Sequence, residues 1–296
     1  IGIYADKIYM NPAASTNFSL DGFNINVPYY KELTSKIGVE FQVLHIGNYK
    51  SYGENFVKSE MSQEFKNQYF SLLQGRKNYF VSEISSKRKI ELVKFENDFL
   101  NGIYLYFNSK KAKENKFVDK LLNYDEFLTE NSIENTVDLG EYYSYVAKKY
   151  ENDNIALITL EGDISTFEGE NNINPFKTAE LLEIAKNDSS IKGIVIRINS
   201  PGGSALASEI INQKVKEVKK VKPIYISISQ TAASGGYYIA SAGNKIFANK
   251  NSITGSIGVV SMFFNLKGLY EKLGLKYETI ELGKTPNSFN FSKKVS

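Results

Sequence analysis

The chain has 296 residues, enough for roughly two domains of ordinary size. Its 36 basic and 33 acidic side chains nearly balance, so nothing in the charge points to nucleic acid as a partner. Cysteine is absent, which excludes disulfides, thiolate catalysis and cysteine-ligated metals. No stretch approaches ~18 uninterrupted apolar residues, so no membrane-spanning segment is visible.

The chain opens on Ile1 rather than Met, without a signal peptide and inside what reads as ordered structure, and it is treated as truncated there. Asp6-Lys-Ile-Tyr-Met-Asn11 resembles Asn244-Lys-Ile-Phe-Ala-Asn249, with Lys7 and Lys245 lying 238 residues apart. Ile37-Gly-Val-Glu-Phe41 resembles Leu273-Gly-Leu-Lys-Tyr277 at an offset of 236. Two matches at nearly one spacing suggest tandem homologous domains; chance likeness between two strand starts is the alternative. The division is expected near Tyr150 to Asn154, giving residues 1–152 and 153–296, the later part of one repeat and the earlier part of the next.

Ser62 to Lys89 predicts one long helix with Phe65, Tyr69, Leu72, Leu73, Phe80 and Ile84 inward. Beyond the boundary, strand and helix alternate. Ile155 to Leu160 predicts a buried strand. Pro175 opens a helix running to Asn187. Gly193 to Ile198 is a second strand. Ser204 to Val221 is an amphipathic helix with Leu206, Ile210, Ile211, Val215 and Val218 on one stripe. Ile224 to Ser229 is a third strand, and Tyr237 to Ala242 a short helix. This alternation predicts an α/β fold.

Two turns could carry chemistry. In Asn199-Ser-Pro-Gly-Gly-Ser204, Pro201 fixes one φ angle and Gly202 and Gly203 allow tight turning. Such a turn leaves backbone N–H groups free at a helix N-terminus, where they can hold an anion or oxyanion. On its own, a plain strand-to-helix connection with no ligand is the favoured reading. Gln230-Thr-Ala-Ala-Ser-Gly-Gly236 follows the next strand. Ser234 at the mouth of a helix reads first as an N-cap. Ala232 replaces the first glycine of Gly-x-Ser-x-Gly, so an α/β-hydrolase elbow is unsupported. A nucleophilic serine needs a base. The single histidine, His45, lies on an expected strand and reads as satisfied or solvent-facing. Lysine can serve if burial or nearby positive charge lowers its pKa well below ~10.4. The residues alone do not choose among the lysines.

Taken together, the segments resemble the signal peptide peptidase A, or protease IV, family (serine peptidase family S49) in its long, duplicated form. Asn199-Ser-Pro-Gly-Gly-Ser204 is similar to its oxyanion loop and Thr231-Ala-Ala-Ser-Gly-Gly-Tyr237 to its nucleophile motif. Thr254-Gly-Ser-Ile-Gly258 is similar to the segment after it, and Gly47-Asn-Tyr-Lys-Ser51 to the segment carrying the lysine base. Ala112 to Asp119 looks like the late stretch of each repeat. The position of the second repeat that aligns with Lys50 is Pro286.

The resemblance implies tandem crotonase/Clp-protease-like spiral domains of repeated β-β-α units. It implies a serine endopeptidase with Ser234 as nucleophile, Lys50 as base, Ser256 orienting the lysine, and the Gly203 and Gly235 N–H groups as the oxyanion hole. No metal or organic cofactor is required by that chemistry. Cleaved signal peptides and other extended apolar peptides are the implied substrates, and Ile198, Leu206 and Val260 are candidates for the groove that takes them. A homotetramer is expected, anchored to the bacterial cytoplasmic membrane by a segment not seen here and facing the periplasm or extracytoplasmic side. Two other readings keep the fold: a crotonase-like acyl-CoA enzyme, and a membrane-associated scaffold without turnover.

Overall fold

The computed structural model describes residues 2–147, 154–167, 169, 171–278, 280, 282–283 and 291. The expected boundary at Tyr150, apart from Asn154, and the aligned position Pro286 lie outside them. Two compact units are present, one built from Ile1–Ile25 and Phe70–Asn152, the other from Asn26–Tyr69 and Asp153–Ser296.

The first unit opens with β1 (Tyr9–Met10) and β2 (Asn17–Phe18). The chain then enters the second unit with α1 (Lys31–Ile37), β3 (Glu40–His45) and α2 (Glu54–Val57). The long helix α3 (Gln63–Arg88) follows the expected range closely. Phe65 and Ile84 are buried as expected, while Tyr69, Leu72, Leu73 and Phe80 are half-buried; Val81 joins the core at 2% exposure.

Back in the first unit come α4 (Leu92–Leu100), β4 (Phe107–Asn108), α5 (Ser109–Glu114), β5 (Lys120–Leu121), α6 (Tyr124–Glu130) and α7 (Leu139–Ala147). Its strands pair in twos, β1 with β5 and β2 with β4. Its core is aromatic: Phe95, Phe99, Tyr104, Phe107 and Phe117 close around Val81 and Ile84. Capping is explicit in the sequence. Glu91 accepts from the Val93 and Lys94 N–H groups at the start of α4, and Asn123 with Glu126 forms a capping box on α6.

The second unit resumes with β6 (Ile155–Glu161), β7 (Asp163–Ile164), β8 (Asn172–Ile173) and α8 (Pro175–Asn187). Then come β9 (Gly193–Ser200), α9 (Ala205–Val218), β10 (Ile224–Ala233) and α10 (Gly235–Ala240). It ends with β11 (Lys245–Ala248), β12 (Ile253–Gly255), β13 (Val260–Asn265) and α11 (Lys267–Lys272). The main sheet has the order β11-β10-β9-β6, with β12 also beside β10, and every pairing in it is parallel. One face carries Ile158, Leu160, Ile194, Ile196, Ile198, Ile224, Ile226 and Ile228, packed with Leu182, Ile211, Val215, Val218 and Ile239 from the helices. Removing this much apolar surface from water is the main force holding the sheet. The expected buried strand Ile155 to Leu160 is buried on this face only; on the other, Ile155 and Leu157 are exposed.

Some details differ from the sequence expectation: β9 runs two residues further, to Ser200, and α9 stops at Val218 rather than Val221. The third strand runs four residues further, to Ala233, past a register shift between Ile228 and Ala232. Helix α10 starts two residues earlier, at Gly235. Leu206 is 67% exposed, and Ala207 takes the core position in its place. The first turn of α9 packs so closely that a Cβ on Gly235 would meet Ser208 Oγ at 2.3 Å, so only small residues fit there.

Candidate active site

Both chemistry-bearing turns meet at the end of the main sheet. β12 lies beside the end of β10 with Ala232 opposite Thr254 and Ala233 opposite Gly255. The next residue on each chain is a serine, Ser234 and Ser256. Each turns to positive φ, 49° and 51°, and the Ser234 N–H donates to the Gly255 carbonyl at 2.8 Å. A non-glycine residue at φ 49°, ψ −119° costs on the order of 1–3 kcal/mol. Ser234 stands at the N-cap position of α10 but makes no side-chain capping bond, so the plain cap reading does not hold. Its hydroxyl is turned to Lys50 instead.

The loop after β9 supports this turn. Its bridge to Ile164 uses the Gly202 carbonyl, which accepts from the Ile164 N–H, and the Ser204 N–H, which donates to the Ile164 carbonyl; both distances are 2.8 Å. Gly202, at φ 111°, abuts Ser234: a Cβ there would lie 2.8 Å from Ser234 Cβ and from the Gly235 nitrogen. At Gly203 a Cβ would meet the Ile164 carbonyl oxygen at 2.2 Å. The Gly203 N–H takes no part in the Ile164 bridge. The Gly235 N–H, at the first position of α10, has no acceptor within its own helix. Both glycines line the cleft at Ser234.

Lys50 arrives from 184 residues upstream. The sequence patterns did not foresee how: β3 pairs antiparallel with β13, His45 opposite Val260 and Glu40 opposite Asn265. That register lays the chain leaving β3 beside the chain entering β13. Lys50, five residues past His45, thereby reaches Ser256, four residues before Val260. The Lys50 stem runs along Gly258, where an added Cβ would sit 3.6 Å from its Cγ and Cδ.

Lys50 is 5% exposed. Its Nζ donates to the Ser256 carbonyl at 2.5 Å and to Ser256 Oγ at 2.9 Å, and lies 3.1 Å from Ser234 Oγ. All three partners are neutral. Burial without a counter-charge disfavours the ammonium and lowers the pKa below the ordinary lysine value. A neutral amine has two N–H bonds and one lone pair, which matches two acceptors on Ser256 and one hydroxyl on Ser234. His45 is exposed, and its Nδ1 hydrogen bonds locally with the Gly47 carbonyl at 2.8 Å.

A cleft of about 680 Å³ opens at Ser234. Of the three groove candidates, Val260 lines it. Ile198 lies wholly in the core, and exposed Leu206 is not among the lining residues. Sequence reading missed Glu209, Tyr238, Ile257 and Val259, which also line it. The available signal was the i, i+4 spacing from Ala205 to Glu209 on the helix that follows the glycine turn.

A serine at a strained strand-to-helix turn, on a parallel sheet backed by helices, is the arrangement of a serine hydrolase on an α/β fold, and the family comparison makes that fold Clp-protease-like. The Clp protease family model matches residues 158–254. The chain belongs to peptidase family S49, whose model matches residues 1–138 and 216–296, well over half of it. Protease 4 of Haemophilus influenzae is 31% identical over 98% of this chain and 50% of its own length. The chloroplastic serine protease SPPA of Arabidopsis thaliana is 32% identical over 96% of this chain and 44% of its own. The chain thus spans about half the length of these relatives. Among solved structures, a mutant of the 1510-N membrane-bound stomatin-specific protease, in complex with a substrate peptide, is 24% identical with a TM-score of 0.31. It covers 36% of this chain and 46% of that one.

Proposed function

We propose that this protein is a serine endopeptidase in which Ser234 and Lys50 form a catalytic dyad. The observation that carries the reading is a lysine amine, almost fully buried and without an anionic partner among its bonds, 3.1 Å from a serine hydroxyl. Neutral Lys50 takes the Ser234 proton as Oγ attacks the peptide carbonyl. The resulting ammonium gives that proton to the leaving amine, and Lys50 then activates the water that releases the acyl group. Ser256 orients the amine through its carbonyl and hydroxyl. The N–H groups of Gly203 and Gly235 receive the developing oxyanion, where loss of one donor costs about 3 kcal/mol in the barrier.

Extended peptides with apolar side chains, cleaved signal peptides among them, are the proposed substrates. The apolar lining by Ile257, Val259 and Val260 supports this. A homotetramer at the extracytoplasmic side of a bacterial cytoplasmic membrane is carried over from the family resemblance alone. Among the described residues, no helix is long and apolar enough to cross a membrane. Tandem repeats divided at 152/153 are part of the same proposal. In support, α1 and α11 start at the sequence offset of 236, and the glycines that follow them, Gly38 and Gly274, both have positive φ.

The test is hydrolysis of a fluorogenic apolar peptide by the full-length protein beside Ser234→Ala and Lys50→Met. Both variants are expected to fold and to lose activity by about ten-thousand-fold. A Lys50→Met variant that keeps its activity overturns the dyad.

A further inference from the structure

We propose that the cleft at Ser234 is a specificity subsite for a long side chain ending in a cation, and that Glu209 selects it. This rests on the peptidase reading above and concerns only the residue whose carbonyl is attacked, within a peptide that is otherwise extended and apolar. Helices α9 and α10 form two of its walls. Ala205 and Glu209 are one turn apart on one face of α9, as Gly235 and Tyr238 are on α10. Going from Gly235 to Tyr238 is a rise of about 4.5 Å, comparable to the reach of an extended aliphatic side chain. Ile257 and Val259 add apolar surface. One open cleft thus holds Ser234, apolar surface and, bonded to Tyr238 one helical turn along α10, the Glu209 carboxylate.

That acid keeps its charge. One Glu209 oxygen accepts from the Tyr238 hydroxyl, and the other accepts from the Gln213 amide at 2.7 Å. Both donors are neutral. The Tyr238 bond, then the Gln213 bond, hold the carboxyl below its usual range, with a smaller contribution from Lys216 further along α9. A purely aliphatic ligand filling the cleft would strip water from this carboxylate and return nothing to it. A lysine or arginine side chain lays its stem on the apolar wall and brings its cation to Glu209. An acidic side chain is repelled.

A brace between the two helices is the plainer role for the Glu209–Tyr238 bond, and the test separates the two. Three fluorogenic peptides differ only at the residue whose carbonyl is attacked: lysine, norleucine or glutamate. The full-length protein is expected to favour lysine over norleucine by about tenfold in kcat/KM, the worth of one charge-assisted hydrogen bond. Glu209→Gln brings that ratio close to one, and Glu209→Lys moves the preference to the glutamate peptide. Tyr238→Phe, which frees the carboxylate but leaves its charge, lowers the ratio only partway. A brace would slow all three peptides alike and leave the ratios unchanged. A ratio that survives Glu209→Gln overturns the proposal, as does wild-type preference for norleucine. Ser234-dependent cleavage without a lysine preference sinks this inference alone. No cleavage of any peptide sinks both it and the peptidase reading.

Discussion

The two units use backbone strain for different ends. Among the described residues, six non-glycine positions have positive φ. Lys89, Tyr106, Lys116 and Ser132 lie in the first unit; Ser234 and Ser256 lie in the second. Lys89, Lys116 and Ser132 each sit just past a helix, where the next residue's N–H turns back to a helical carbonyl: Ile90 to Ser85, Phe117 to Ala112, Ile133 to Leu128. This is the ordinary way a helix ends, made with residues other than glycine. The two strained residues of the second unit end strands of the main sheet instead, and both place a hydroxyl on the Lys50 amine. At three of the four positions in one unit positive φ stops a helix; in the other unit both positions aim a hydroxyl at Lys50.

The largest effect expected from breaking that second arrangement comes at Lys50. Lys50→Met is expected to remove activity while keeping a stem of similar length against Gly258. It also separates function from stability. The folded pKa of Lys50 lies below its unfolded value, so the unfolded chain binds more protons between those two values. Wild-type stability therefore rises with pH across that window, and the burial penalty is greatest below it. Lys50→Met should melt higher than wild type at neutral pH, with the gap shrinking as pH climbs toward the ordinary lysine value. Wild-type kcat/KM should rise with pH through the lowered pKa as the amine becomes neutral. A variant that melts lower at neutral pH would show that the amine contributes more through its hydrogen bonds than its burial costs.

The cores differ as well, aromatic in the first unit and branched aliphatic in the second. Phe95 is fully buried, with ring centroids of Tyr104, Phe117 and Phe99 5.4, 6.0 and 6.3 Å away. Phe95→Ala should destabilise by about 3–5 kcal/mol, because neighbouring rings cannot collapse into the space. Ile196, fully buried on β9, is expected to cost about 2–5 kcal/mol on change to Ala. Native-state hydrogen exchange reads where protection is lost. Loss confined to residues 70–147 for Phe95→Ala, and to the main sheet for Ile196→Ala, would make the units separate cooperative bodies. Loss spread over both would make them one.

The same contrast explains what could be read from sequence. The main sheet is legible because Ile155–Leu160, Gly193–Ile198 and Ile224–Ser229 carry an aliphatic residue at every second position, between turn residues. The small paired strands of the first unit have two residues each and leave no periodicity to detect. At the site, the small-residue turns were visible but their use was not, since a helix-capping serine and a nucleophilic serine share one sequence context. What distinguishes them is a φ angle and the antiparallel β3–β13 pairing, both set by contacts distant in sequence. Leu206 misled because helical periodicity assigns a face without saying how closely the next helix approaches it. Gly235 beside Ser208 decides that closeness.

A smaller effect isolates the strain itself. Ser234→Ala and Ser234→Gly both remove the hydroxyl and differ only in the Cβ. If the turn is strained, the glycine variant should be the more stable by about 1 kcal/mol, although glycine has more freedom to lose on folding. Lys89→Gly compared with Lys89→Ala should show a similar gain at the end of α3. Denaturant midpoints read both pairs. A gain at Lys89 but none at Ser234 would mean that the surrounding hydrogen bonds, not the dihedral, determine stability at the Ser234 turn.

The smallest effect belongs to the first unit and depends on pH in the opposite sense to Lys50. Asp119 accepts from Arg88 Nη2 at 2.9 Å and Nη1 at 3.2 Å, and from the Ile8 N–H at 2.7 Å. The Arg88 bonds, outweighing partial burial and joined by the Ile8 bond and nearby positive charge, hold its carboxyl below the usual aspartate value. A depressed carboxylate pKa contributes stability above the unfolded value, and this is lost as pH falls through the folded one. The pair is partly exposed, so solvent screening limits it to about 1 kcal/mol. Asp119→Asn should lower stability by that amount at neutral pH and by progressively less below about pH 4, where the wild-type carboxylate is protonated as well. Added salt should narrow the difference at neutral pH. A difference independent of both pH and salt would assign the role of Asp119 to its neutral hydrogen bond with Ile8 rather than to charge.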